Sequence, residues 1–264
     1  MTLSFTLLGS GSSGNATLVS DGDRHILVDV GLSGRETARR LAECGLSPQQ
    51  ISAIVISHEH GDHCRGIAPF AKHLDLPIFM TDAAYAGYCE TGCSFEEKKR
   101  QPIESGRPFD VHGILFTPFS VAHDARDPLA FGIEKDGVKI AIVLDLGEIS
   151  HLVVERLKGC DAIVLESNHD RNMLEVGPYP WALKQRVWGR LGHLSNTQVA
   201  DYLAHDFDGK ARHLILAHLS EKNNLPELAL LSARRALEER SSLSAVQTKL
   251  ELGFADHISK TYEF

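Results

Sequence analysis

Ile51-Ser52-Ala53-Ile54-Val55-Ile56-Ser57-His58-Glu59-His60-Gly61-Asp62-His63 passes without a break from an apolar, β-branched segment into a run of imidazoles and carboxylates. Residues 51–56 read as a buried strand. The residues that follow therefore emerge at a strand's carboxyl end, where open α/β layers place their sites. A loop in that position aims His58, His60, Asp62 and His63 into one small volume. Imidazole nitrogen and carboxylate oxygen suit zinc, iron or manganese. Clustered histidines also decorate ordinary polar loops, so the run alone leaves that alternative open.

The rest of the chain repeats the arrangement. His123 follows Phe119-Ser120-Val121, Asp145 closes Ile140-Ala141-Ile142-Val143-Leu144, and His218 follows Leu214-Ile215-Leu216-Ala217. Three further potential ligands thus stand at the ends of three apolar runs. One such histidine is commonly a satisfied core residue; repeated placement argues for a shared metal centre.

The 264 residues fit one large domain or two small ones, and 43% hydrophobic content supplies a sizeable core. With no repeat, low-complexity tract or linker-like stretch, a single domain over 1–264 is expected. Strands are expected at 3–8, 16–19, 25–29 and 51–56, then near 77–80, 114–121, 129–134, 138–144, 161–165 and 213–217. Helical patterns fit 34–44, 65–74, 150–158, 196–205 and 226–240. The interleaving predicts helices outside two sheets.

No apolar run reaches transmembrane length, and Met1-Thr2-Leu3-Ser4-Phe5 lacks a basic leader, so a cytoplasmic location without membrane attachment is expected. Five scattered cysteines point to free thiols in a reducing compartment. Cys89 and Cys93 lack a second pair for a metal and read as small buried hydrophobes. A formal net charge of −8 speaks against coating duplex DNA by charge alone, so nucleic-acid binding requires a local patch or the metals.

Gly9-Ser10-Gly11-Ser12-Ser13-Gly14 matches the dinucleotide pattern letter for letter. That chemistry needs a helix to start at the glycines and face the pyrophosphate. Asn15-Ala16-Thr17-Leu18-Val19 reads instead as a strand, which makes the glycines a tight strand-to-strand turn near the site.

The H-x-H-x-D-H run, followed by His, Asp and His after successive strands, resembles the metallo-β-lactamase superfamily over nearly the whole chain. The resemblance implies an α/β, four-layer αβ/βα sandwich. By the superfamily's pattern His58, His60 and His123 hold one metal ion, Asp62, His63 and His218 a second, and Asp145 bridges. Asp29, in Ile26-Leu27-Val28-Asp29-Val30-Gly31, matches an early aspartate that supports the ligand loop. Two such ions lower the pKa of a shared water and neutralise an anionic phosphodiester. Asp62 is placed to orient the attacking hydroxide. A histidine at position 60, where oxygen-reducing members carry glutamate, points to hydrolysis.

Glu166-Ser167-Asn168-His169-Asp170 and Gly192-His193-Leu194-Ser195-Asn196-Thr197-Gln198 look like the phosphate-side turns of the tRNase Z and RNase J branch. Ser195 and Gln198 form a capping box that puts His193 beside a helix N-terminus, favourable for phosphate. His193 is the expected stabiliser of the phosphoryl oxygen or acid for the leaving oxygen; a structural turn histidine is the alternative. Glu166, His169, Ser195 and Asn196 are the accompanying substrate candidates. No acidic residue lies between Glu175 and Asp201, where Lys184, Arg186 and Arg190 occur. Arg186 and Arg190 are the expected phosphate contacts. Trp181 and Trp188 share a face if the segment is helical, and Trp188 is expected to pack into the core. Lys98-Lys99-Arg100 reads as a solvated face.

Asp145 and His218 are separated by 72 residues, too few for a β-CASP insertion, and no Gly/Pro-rich tRNase Z arm is present. The segments Leu8–Thr17, His58–His63, Asp127–Phe131, Leu165–Asp170 and Gly192–Asn196 together resemble the YycJ/WalJ family. That resemblance implies a bacterial cytoplasmic nuclease with two divalent ions (zinc, manganese or iron), acting 5′ to 3′ on DNA rather than RNA. A small-molecule (cyclic) phosphodiesterase, an RNA-processing nuclease of the same superfamily and a non-catalytic metal- or DNA-binding module remain as alternatives.

Overall fold

The computed structural model describes residues 3–241 and 248–264, with the side chains of residues 240 and 241 outside the description. Met1 and Thr2, part of the opening segment read above for a leader, lie outside it too. The chain comprises two compact units.

The first unit comprises Met1–Ser120, Ala125–Leu129 and Phe254–Phe264. Its sheet contains β1 (Leu3–Gly9), β2 (Ala16–Asp21), β3 (Arg24–Val28), β4 (Ile51–Val55), β5 (Ile78–Met80) and β6 (Arg100–Pro102), with the C-terminal strand Tyr262–Glu263 beside β1. The pairing is antiparallel from the C-terminal strand to β3 and parallel from β3 to β6. The central strands are apolar on both faces, as a strand covered on both sides must be. Leu8, Leu18, Leu27, Ile54, Met80 and Tyr88 share one buried cluster with Leu41 of α1 (Gly34–Glu43). Ser33 starts that helix by accepting from the Glu36 amide at 3.2 Å.

The helix expected at 65–74 is present as the shorter α3 (Ile67–Ala71), and a one-turn helix, α2 (Gly61–Cys64), precedes it. Gly66 separates them: its amide donates to the Val30 carbonyl at 2.8 Å, and a Cβ there would lie 2.1 Å from the Leu32 carbonyl oxygen. Helix α4 (Asp82–Glu90), which periodicity did not signal, is capped by Thr81. A hairpin of β7 (Phe109–Val111) and β8 (Ile114–Ser120) completes the unit. Lys99 corrects the expectation of a solvated basic run. It is 7% exposed, its Nζ donating to the Ala71 carbonyl and pairing with Glu96 at 3.0 Å. All five cysteines are free thiols, but Cys89 and Cys93 are half-buried rather than buried.

The second unit comprises Val121–Asp124 and Ala130–Gly253. Its strands lie in the order β13 (Lys249–Leu252), β12 (His213–Ala217), β11 (Ala162–Glu166), β10 (Val138–Val143), β9 (Leu129–Lys135). Strands β9 and β10 form a hairpin through Asp136-Gly137, both at positive φ, as a two-residue hairpin loop requires. The remaining pairs are parallel. Helices α5 (His151–Leu157), α6 (Arg171–Val176), α7 (Trp181–Trp188), α8 (Asn196–His205) and α9 (Pro226–Ser241) connect or flank them. Helix α8 spans the residues expected, and its Ser195–Gln198 capping box is present with both reciprocal bonds. Among the described residues no helix is long and apolar enough to cross a membrane.

Candidate metal centre

In the first unit β4 ends and the chain turns through Ser57 into His58, with His60 as N-cap of α2. The turn closes on the His60 carbonyl, which accepts from the His63 and Cys64 amides at 2.9 and 3.1 Å. The His58 ring centroid is 4.7 Å from that of His60 and 4.2 Å from that of His63. Asp62 is partly exposed, one carboxylate oxygen 3.8 Å from His63 Nε2. Residues 58, 60, 62 and 63 are therefore gathered as the sequence predicts.

Asp29, just past β3, anchors the loop. One oxygen accepts from the Ser57 amide at 2.8 Å; the other accepts from the Ser57 hydroxyl at 2.9 Å and lies 2.8 Å from His63 Nδ1. Ser57 Oγ is also 3.0 Å from His58 Nδ1. The glycine turn between β1 and β2 reaches the same place. Asn15 Nδ2 is 2.9 Å from His63 Nε2, and the Asn15 amide donates to the Asp62 carbonyl at 2.7 Å. Gly31 allows this approach, since a Cβ there would lie 1.6 Å from the Asp62 carbonyl oxygen. Sequence reasoning placed the glycine turn near the site but missed Asn15 and Ser57; adjacency of Ser57 to the histidine run was the available signal.

In the second unit the site residues come from separate strand ends. Asp145 follows β10 and His218 follows β12, both at positive φ (53° and 52°), the same left-handed conformation Asp29 adopts at 62°. Non-glycine residues seldom sit there, and such strain collects at functional sites. One ligand atom from each of Asp145, Glu166, His193 and His218 lies within 4.8 Å of the others. Glu166, at the end of β11, organises the group. One oxygen accepts from the Leu146 and Leu194 amides; the other lies 2.8 Å from both His193 Nδ1 and His218 Nδ1. Asp145 Oδ1 is 3.2 Å from His193 Nδ1 and 3.0 Å from His218 Nδ1. His123 Nδ1 donates to the Gly192 carbonyl at 3.0 Å.

Burial works against the charged form of His193, but Glu166 and Asp145 outweigh it and raise its pKa to about 9. Burial also works against an ionised Glu166, yet its two imidazole neighbours hold it near 2. Burial lowers the pKa of His123, and takes that of His169 down to about 4.

His58, His63, His123 and His218 share one property: Nδ1 is engaged by Ser57, Asp29, the Gly192 carbonyl and Glu166 in turn. An imidazole held at Nδ1 by an acceptor turns the Nε2 lone pair outward, the tautomer a metal needs; in His63 that nitrogen faces the Asn15 amide nitrogen at 2.9 Å. His58 and His63 in the first unit, and His123, His218 and buried Asp145 in the second, are donor types that suit divalent cations of the zinc, manganese and iron group.

The expected substrate contacts lie as follows. Glu166 is fully buried and its oxygens are taken, so it acts by holding His193 and His218. His169, Ser195 and Asn196 are at most 2% exposed. Ser195 spends its hydroxyl on the α8 cap; Asn196 bonds Ser167 and Asn224. Arg186 and Arg190 are exposed but paired, with Asp124 at 2.5 Å and Glu148 at 2.8 Å. Asp124 in turn lies 3.4 Å from His123 Nε2. Trp188, expected in the core, is 41% exposed, and Trp181 is 65% exposed.

Residues 24–219 match the beta-lactamase superfamily domain. The chain is 34% identical to the exodeoxyribonuclease YycJ of Bacillus anthracis over 91% of both chains. It is 32% identical to the exodeoxyribonuclease WalJ of Streptococcus pneumoniae, over 85% of this chain and 84% of that one. The metallo-beta-lactamase fold protein YhfI from Bacillus subtilis superposes with a TM-score of 0.76 over 100% of both chains at 15% identity, a likeness of fold. The chain therefore has the metallo-β-lactamase fold, the class anticipated from its histidine pattern. It belongs to the metallo-β-lactamase superfamily and, within it, to the family that contains YycJ and WalJ.

Proposed function

We propose that the chain is a metal-dependent phosphodiester hydrolase, a DNA exonuclease that degrades strands 5′ to 3′ in the cytoplasm, with residues 1–264 acting as one catalytic domain. The observation that carries the metal-dependent reading is the shared contact at Nδ1 of His58, His63, His123 and His218. Similarity to two exodeoxyribonucleases over most of the chain supports the substrate. The free thiols fit a reducing compartment.

His58, His60 and His123 would hold one divalent ion and Asp62, His63 and His218 a second, with Asp145 shared. The ions, when bound, supply charge neutralisation of the phosphodiester and acidification of a water. The protein's own residues do the rest. Asp62, still partly exposed, accepts a hydrogen bond from the attacking water and turns its lone pair toward phosphorus. His193 is 22% exposed, and its Nδ1–H is held by Glu166 and Asp145, which leaves Nε2–H to protonate the departing oxygen. Glu166 keeps that imidazole charged and in place.

The test is digestion of end-labelled single- and double-stranded DNA and RNA with Mn²⁺, Zn²⁺ or no metal. Mononucleotides released from DNA 5′ ends only with metal are expected. Intact polymer beside rapid hydrolysis of a small phosphodiester would overturn the exonuclease reading.

A further inference from the structure

Helix α7 has no buried residue, although five of its eight positions, Trp181, Ala182, Leu183, Val187 and Trp188, are apolar. A helix normally turns its apolar stripe onto a core; this one exposes 65% of Trp181 and 41% of Trp188. Its surroundings are cationic. The Arg171 guanidinium lies 4.7 Å from the Trp188 ring centroid, and the Lys222 ammonium 5.8 Å from that of Tyr179. Lys184 Nζ donates only to a main-chain oxygen, that of Glu175, at 2.6 Å. Among the described residues Arg171, Lys184 and Lys222 have no carboxylate partner. The sequence offers no acid from residue 176 to residue 200, in a chain whose net charge is −8.

The helix is also fastened to the candidate metal centre within its own unit. Arg186 is paired with Asp124, whose other oxygen faces His123. The His193 amide donates to the Val187 carbonyl at 2.9 Å. Trp181 stands seven residues up the helix, roughly 10 Å along its axis from Trp188.

We propose that α7 and its neighbours form a docking surface for a single nucleic-acid strand, a base stacking on Trp181 while Arg171, Lys184 and Lys222 meet phosphates. Exposed aromatics interleaved with unpaired cations bind single strands without reading sequence, since every base has a stacking face and every nucleotide a phosphate. Charge favours a nucleic-acid strand over a second copy of this chain as the occupant: Arg171, Lys184 and Lys222 call for anions, a strand supplies one at every nucleotide, and the acids paired with α7, Asp124 and Glu148, are taken by Arg186 and Arg190. Arg186 and Arg190 are committed to carboxylates, so the gripping cations are the three that are not. The inference rests on the nuclease reading and adds where the strand lies before it is cut.

The metal-free full chain, in chelator, allows a test that does not depend on cleavage. The chain has two tryptophans, so Trp188→Phe leaves Trp181 as the only indole emitter. Titration with a single-stranded oligodeoxynucleotide should quench its fluorescence. By anisotropy of a labelled strand, Trp181→Ala should raise Kd about tenfold, whereas Leu152→Ala, another exposed apolar side chain of this unit, should not change it. Three phosphate contacts give a slope of log K against log salt of about −2, falling to about −0.7 in Lys184→Gln/Lys222→Gln. Absent quenching, or equal affinity in Trp181→Ala and the parent, would overturn the docking surface. So would a Trp181→Ala variant that turns a dimer into monomers by sedimentation while strand affinity stays the same. Failure of the metal-loaded chain to cut any polymer would instead count against the nuclease reading, and the metal-free binding result would still stand or fall separately.

Discussion

The two units meet the same chemical demand, imidazoles held at Nδ1, by different means. In the first, the ligand types are neighbours in sequence, and the backbone of one turn gathers them. Asn15 and Gly31 press against the Asp62 carbonyl, and Asp29 fixes Ser57 and His63. In the second, Asp145, His193 and His218 come from separate segments, and one buried carboxylate, Glu166, holds both imidazoles. A contiguous set depends on close backbone fit; a dispersed set depends on a hub. The two should therefore fail differently when disturbed.

The largest effect is expected at Asp145, the residue assigned to both ions. Asp145→Ala should bring metal-dependent cleavage to background, and retained cleavage in the end-label assay would break the two-ion assignment. Gly31→Ala tests the backbone-fitted half. The new Cβ overlaps the Asp62 carbonyl, so the ligand turn must shift, and misplacement by an ångström costs on the order of a hundredfold in turnover. Metal content by elemental analysis should fall with it; normal metal content and rate would show that the turn adapts. Glu166→Gln tests the hub, with an expected loss of about 10- to 100-fold. Its distinguishing sign is in the pH profile. Glu166 holds the His193 pKa up at about 9, so removing its charge should move the alkaline limb of kcat toward lower pH. An unmoved limb would mean that His193 is not the acid.

The smallest effect concerns His169, which is 1% exposed with neither ring nitrogen hydrogen-bonded. Burial lowers its folded pKa to about 4 from 6.5, so the unfolded chain binds the proton first. Its contribution to stability is complete above pH 6.5 and is lost as pH falls toward 4, on the order of 3 kcal/mol over that window. His169→Phe removes both unsatisfied nitrogens. The variant should be as stable as the parent at pH 7 and lose less between pH 6.5 and 4 in denaturant titrations. Identical acid sensitivity would show that His169 is hydrated.

The contrast between the halves also explains what the sequence made legible. His58–His63 could be read because ligand types that touch in space are adjacent in the chain. His123, Asp145 and His218 were legible because each ends an apolar run, and α8 because its cap is written in Ser195 and Gln198. Short edge strands such as β6, Arg-Gln-Pro, carry no periodicity to detect. The role of Glu166 depends on which amides and imidazoles converge on it, which no spacing reports. Spacing alone therefore groups it with substrate contacts, whereas its bonds place it behind His193 and His218. Helical patterning assigns Trp188 to the core because apolar residues on a helix usually are buried; α7 departs from that rule.

The central claim is that ions held by these ligands drive removal of nucleotides from DNA. It is tested most directly by following a 5′-labelled strand with the parent chain and Asp145→Ala across a Mn²⁺ titration. Labelled mononucleotide should rise with Mn²⁺ in the parent and be absent from the variant. An intact strand at every Mn²⁺ concentration, or equal release by both proteins, would contradict it.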